Sequence, residues 1–128
     1  MTVSLNLFLW IAQIGLAGLF GFAGVIKTIR PIPDLAKMLV WPGDVPAWLV
    51  RFIGVAEFAG ALGIVLPQLA GILPWLTPLA ALGFVAVQVI AIGFHAVRGE
   101  LKMALPINLL LLALSAFVVW GRWDLFVA

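Results

Sequence analysis

The chain has no cysteine, which excludes disulfide staples, thiolate metal sites and intramolecular dithiol redox chemistry. A single histidine excludes bis-histidine haem. One histidine beside one well-placed acid is also an incomplete coordination set, so no metal site is expected. Charge is scarce as well: 9% of residues are charged, whereas soluble domains carry about a quarter. A polar skin cannot be built from so few groups. With 66% hydrophobic residues and a mean hydropathy of +1.28, lipid must take its place. The net charge of +2 is scattered, with no basic stripe, so no nucleic-acid partner is expected. Ser115 has no histidine at its depth, which leaves nucleophilic catalysis without a triad. Autonomous catalysis is not expected.

What is present is apolar and helical. A hydrocarbon core of roughly 30 Å needs about 20 apolar residues of helix. Four spans meet this, at about 5–27, 46–66, 72–98 and 103–120. They fill the 128 residues as a single transmembrane domain. The first is too long for a signal-peptide core and has no basic residue before it, so cleavage is not expected. Pro67 to Gly71 reads as a short turn, and Pro74 and Pro78 fall in the first turns of the third span. Between the first two spans, Ile32, Leu35, Ala36, Met38 and Leu39 surround Asp34 and Lys37, the pattern of a short interfacial helix. The fold class expected is all-α: a four-transmembrane-helix up-down-up-down bundle with that short helix between helices 1 and 2. Lys27, Arg30, Lys37, Arg51, Arg98 and Lys102 lie near the connections after spans one and three, opposite Arg122. The positive-inside rule then puts both connections in the cytoplasm and both termini outside a cell inner (plasma) membrane.

Few polar residues interrupt the spans. Glu57 is the only acid between Asp44 and Glu100, and a carboxyl group at hydrocarbon depth normally faces the bundle interior with a partner. Gly54, Gly60 and Ala61 share its face, as expected of a surface turned toward neighbouring helices. In span one, Gln13, Ala17, Gly21, Gly24 and Lys27 form one stripe. Span three presents Gln88 and His95 seven residues apart, and span four presents Asn108 and Ser115. Ser115 is expected to bond back to its own helix, whereas the amide of Asn108 should look inward. At about 1.5 Å rise per residue, Glu57 lies roughly 15 Å from the inner end of its span, Asn108 about 8 Å and His95 about 4 Å, with Lys27 at the boundary. Four helices thus each offer one polar side chain to the same leaflet, and a shared pocket there is the expectation. Arg51 sits about 120° round the helix from Glu57 and reads chiefly as an interface anchor.

The stretch RFIGVAEFAGALGIVLPQLAGILPWLTPLAALGFVAVQVIAIGFHAVRGE, from Arg51 to Glu100, resembles the DoxX-like family of small four-helix bacterial membrane proteins. GLFGFAGVIK, ending at Lys27, and Asn108 fit the same pattern, so the resemblance covers nearly the whole chain. The family name derives from a subunit associated with thiosulfate:quinone oxidoreductase and a terminal quinol oxidase. Other members are described in redox or oxidative-stress systems, and distant relatives as assembly factors. Carried onto this chain, the resemblance points to Lys27, Glu57, His95 and Asn108.

Three functions compete. The leading one is binding of a small amphipathic ligand, such as a quinone, as a redox-system subunit beside a partner enzyme. Lys27, His95 and Asn108 would donate to its carbonyls, Glu57 or His95 would handle protons, and Gln88 and Arg51 would complete the ligand-binding set. The second is a proton-coupled transporter using Glu57, working as a homodimer. The third is a non-catalytic assembly or structural partner.

Overall fold

The computed structural model describes residues 2–127. It is helical, with no strand among the described residues. The helices are α1 (Val3–Ile29), α2 (Ile32–Leu39), α3 (Ala47–Gly63), α4 (Leu66–Ala70), α5 (Leu76–Val97) and α6 (Leu101–Gly121). Single 3-10 turns cover Trp41–Asp44 and Trp123–Phe126. Four segments are long and apolar enough to cross a membrane: α1, Ala47–Ala70, α5 and α6. Large apolar side chains such as Phe8, Phe22, Phe52 and Ile90 lie exposed around them, which is the surface expected against lipid rather than water.

Helix α1 is the central element, packing on both α3 and α6, while α5 packs on α6 and α3. Its contacts with α3 run in opposite senses along the two helices. A Cβ on Gly24 would lie 2.6 Å from the Gly54 carbonyl oxygen and 2.6 Å from the Phe58 nitrogen, and Gly21 faces Ala61 farther along. Glycine at 24 and 54 is required by this close backbone approach, the use that small residues serve between membrane helices. The core is a cluster of Ala12, Leu16, Phe20, Ala61, Ile64, Ala81, Phe84 and Val118. Within it the rings of Phe20 and Phe84 stack at 3.9 Å.

The turn expected over Pro67 to Gly71 is instead a break followed by a short helix. Pro67 has no N–H, and its ring excludes the carbonyl of Gly63 four residues back, so α3 stops there. The chain restarts as α4 and ends at Gly71 in the left-handed region, φ 70. The break exposes carbonyls inside an apolar bundle, and two buried side chains take them: Thr77 Oγ1 donates to Gly63 O at 3.2 Å and Gln13 Nε2 to Ile64 O at 2.8 Å. Leu73 also has positive φ, 48, so α5 begins at Leu76 rather than at 72. Pro74 therefore precedes the helix, and Pro78 alone lies in its first turn. The short helix expected after the first span is present as α2, with Leu35 packed against Ile26 and Val50.

Candidate functional site

The bundle has a loop end, where α1 hands over to α2 and α5 turns into α6, and a terminal end. One turn from the apolar cluster toward the loop end, three helices change from apolar to polar. Ala61 and Phe84 belong to the cluster, and Leu111 packs on it. Glu57 is four residues before Ala61, Gln88 four after Phe84 and Asn108 three before Leu111, each on the same helix face as its neighbour. All three are buried. They form a polar layer beneath the stacked phenylalanines.

Helix α1 supplies the layer's cation. Helical side chains lean toward the N-terminus, so Lys27 reaches back into the bundle from the loop end. Its Nζ donates to Glu57 Oε1 at 2.6 Å. The ammonium also lies 5.6 Å from the Trp41 ring centroid, and Trp41 meets Phe94 edge-on at 6.1 Å. The pair is thus covered by tryptophan on the loop side. Gln88 and Asn108 are different. Gln88 Oε1 and Asn108 Nδ2 are buried with no hydrogen-bond partner among the described residues. A buried polar atom left unpaired costs about 1–3 kcal/mol, so these two amides are the unsatisfied part of the layer.

The other two residues expected at the site are bonded elsewhere. His95 Nδ1 lies 2.7 Å from Glu100 Oε1, which also accepts from Arg98 Nε at 2.9 Å. Arg98 Nη2 reaches Asp44 at 2.7 Å, tying the Trp41–Asp44 turn to the α5–α6 turn. The His95 hydrogen bond, aided by Arg98, holds the Glu100 carboxyl below the usual carboxylate range. His95 thus belongs to the mouth of the loop end and makes no hydrogen bond with Glu57. Arg51 donates through Nη1 to the carbonyls of Lys27 and Arg30, at 2.9 and 2.6 Å. It closes the end of α1, fixing the turn from which Lys27 projects. Ser115 bonds Leu111 O at 2.7 Å, back along its own helix as expected.

A second polar centre, at the terminal end, was not read from the sequence as a site. Arg122 Nε donates to Gln13 Oε1 at 2.8 Å, and Arg122 Nη1 to Asn6 Oδ1 at 2.8 Å. The guanidinium also lies 5.4 Å from the Trp10 ring centroid. Gln13 Nε2 in turn donates to Gln68 Oε1 at 2.9 Å as well as to Ile64. The available signal was the pairing of a mid-span glutamine with the lone cation at that end. Two apolar clefts, of about 420 and 480 Å³, flank α1 between it and α3 and between it and α6. Their walls are Ile14, Gly18, Phe58 and Leu62 in one and Phe8, Ile11, Gly15 and Leu114 in the other, surface suited to acyl chains.

No group of three or more His, Asp or Glu side chains arranged to hold a metal occurs among the described residues. Comparison with known proteins matches residues 11–118 to the model of the DoxX-like family. No curated protein and no solved structure matches the chain.

Proposed function

The chain belongs to the DoxX-like family, and we propose that this multi-pass membrane protein binds a small amphipathic molecule, with a quinone as the leading candidate, in the polar layer at the loop end. The observation that carries the reading is the pair of buried amides, Gln88 and Asn108, left without protein partners beside the neutralised Lys27–Glu57 pair. Apolar walls with a few convergent polar groups are the usual form of a ligand site. In this reading Asn108 donates to the ligand, Gln88 accepts from it, and Lys27 and Glu57 set the polarity of the layer. Arg51 positions Lys27, and His95 with Glu100 serves the mouth. A redox-system partner would supply electrons, because the chain's own side chains offer no electron carrier. Purification in native lipid followed by solvent extraction tests this: co-purified quinone, or saturable binding of added decylubiquinone or decylubiquinol, is expected. Absence of both ends the reading.

A structural reading has its own support. The Lys27–Glu57 bond crosses the seam where Gly24 and Gly54 bring α1 and α3 closest, so the pair also clamps two helices. On that reading alone, replacing both residues by apolar ones would leave ligand content and partner association unchanged. Proton-coupled transport would require the pair to open in each cycle, and a pH-driven flux in liposomes that Glu57→Gln abolishes would favour it.

A further inference from the structure

The chemistry of the polar layer restricts what enters it. Its two charges are spent on each other, since Lys27 Nζ and Glu57 Oε1 lie 2.6 Å apart. A phosphate or carboxylate head group would find no uncommitted cation there and would have to leave water unpaired, which is costly at this depth. The groups left over are two carboxamides. Each carboxamide offers both N–H donors and carbonyl lone pairs, so an occupant that only accepts leaves carbonyl oxygen unsatisfied whichever way the amides are turned. A quinone ring oxygen only accepts. A hydroxyl both donates and accepts.

We infer that the site selects an uncharged amphiphile bearing hydroxyl groups on its head, so that a hydroquinone binds in preference to the matching quinone. This rests on the ligand-binding reading above. In the inferred complex the ligand hydroxyl donates to Gln88 and receives from Asn108, and the Phe20–Phe84 stack bounds the head on the cluster side.

The test is anaerobic binding to the purified protein of three probes with similar tails: decylubiquinol, decylubiquinone and dodecanoate. Decylubiquinol is expected to bind about tenfold more tightly than decylubiquinone, equivalent to raising the potential of the bound two-electron couple by about 30 mV. Dodecanoate is expected to bind more weakly than both. Gln88→Leu should abolish most of the preference for decylubiquinol, because only the hydroquinone donates to Gln88 Oε1, whereas Asn108→Leu should weaken binding of both redox forms and leave the preference in place. Neither variant removes a bond the protein makes to itself, and Gln88→Met repeats the selectivity test if Gln88→Leu purifies poorly. Equal binding of the two redox forms, or tighter binding of decylubiquinone, overturns the inference while leaving the ligand-binding reading in place. Dodecanoate binding as tightly as decylubiquinol overturns the requirement for a neutral head. If none of the probes binds, the ligand-binding reading falls, and this inference falls with it.

Discussion

The two buried polar centres of this bundle use similar groups at opposite ends and reach different states of completion. At the terminal end, Gln13 has donor and acceptor both engaged, with Ile64, Gln68 and Arg122. At the loop end, Gln88 and Asn108 are equally hidden yet hold an acceptor and a donor without partners. A satisfied network in a low-dielectric interior rigidifies the fold, whereas an unsatisfied one is unfavourable until something fills it. The contrast separates an amide that holds helices together from amides that wait for a guest.

The sharpest way to break this comparison is to unbalance the loop end. Lys27→Met leaves Glu57 buried without its cation and is expected to lower stability by about 3–5 kcal/mol, read from denaturant unfolding in micelles. Lys27→Met combined with Glu57→Leu should recover most of that loss, because both charges are then gone. Next in size is Gly24→Val: its Cβ would meet the backbone of Gly54 and Phe58, which cannot move aside as a side-chain tip can. A loss of about 3 kcal/mol and a poorly monodisperse product are expected.

The same substitution at two sites then sharpens the contrast directly. Gln13→Leu should cost about 1–2 kcal/mol, the upper range for hydrogen bonds between membrane helices. Gln88→Leu, in the absence of ligand, should be neutral or stabilising, because it removes an unpaired buried group. Equal losses at both positions would erase the distinction drawn here. The smallest effect belongs to the mouth. The Glu100 carboxyl is held below its usual range by His95 and Arg98, so its contribution is complete at neutral pH and disappears as pH falls through that lowered value. Parent and Glu100→Gln should therefore differ in thermal midpoint near pH 7 and converge in strong acid.

Much of the fold was legible because lipid imposes a simple rule on sequence: four apolar runs became the long helices, and α2 appeared where apolar residues surround Asp34 and Lys37. The break at Ile64 and Val65 was not legible. It depends on where the carbonyls freed by Pro67 find donors, and those donors, Thr77 and Gln13, lie 14 and 51 residues from their acceptors. Depth along each helix put Lys27, Glu57, His95 and Asn108 toward one leaflet, and Gln88 was noted only as sharing a stripe with His95. Depth does not choose between partners that lie close together, so the bond between Lys27 and Glu57 and the one between His95 and Glu100 appear only in three dimensions. The partners of Arg51 were hidden for a related reason: angle round the helix excluded Glu57, but the carbonyls ending α1 are invisible to a pattern of side chains.

The most direct measurement of the central claim is native mass spectrometry of the protein released from lipid nanodiscs, run on the parent, Gln13→Leu, and Gln88→Leu combined with Asn108→Leu. The account requires a small-molecule adduct on the parent that persists in Gln13→Leu and disappears from the double variant. An adduct equally abundant in all three, or absent from the parent, would contradict it.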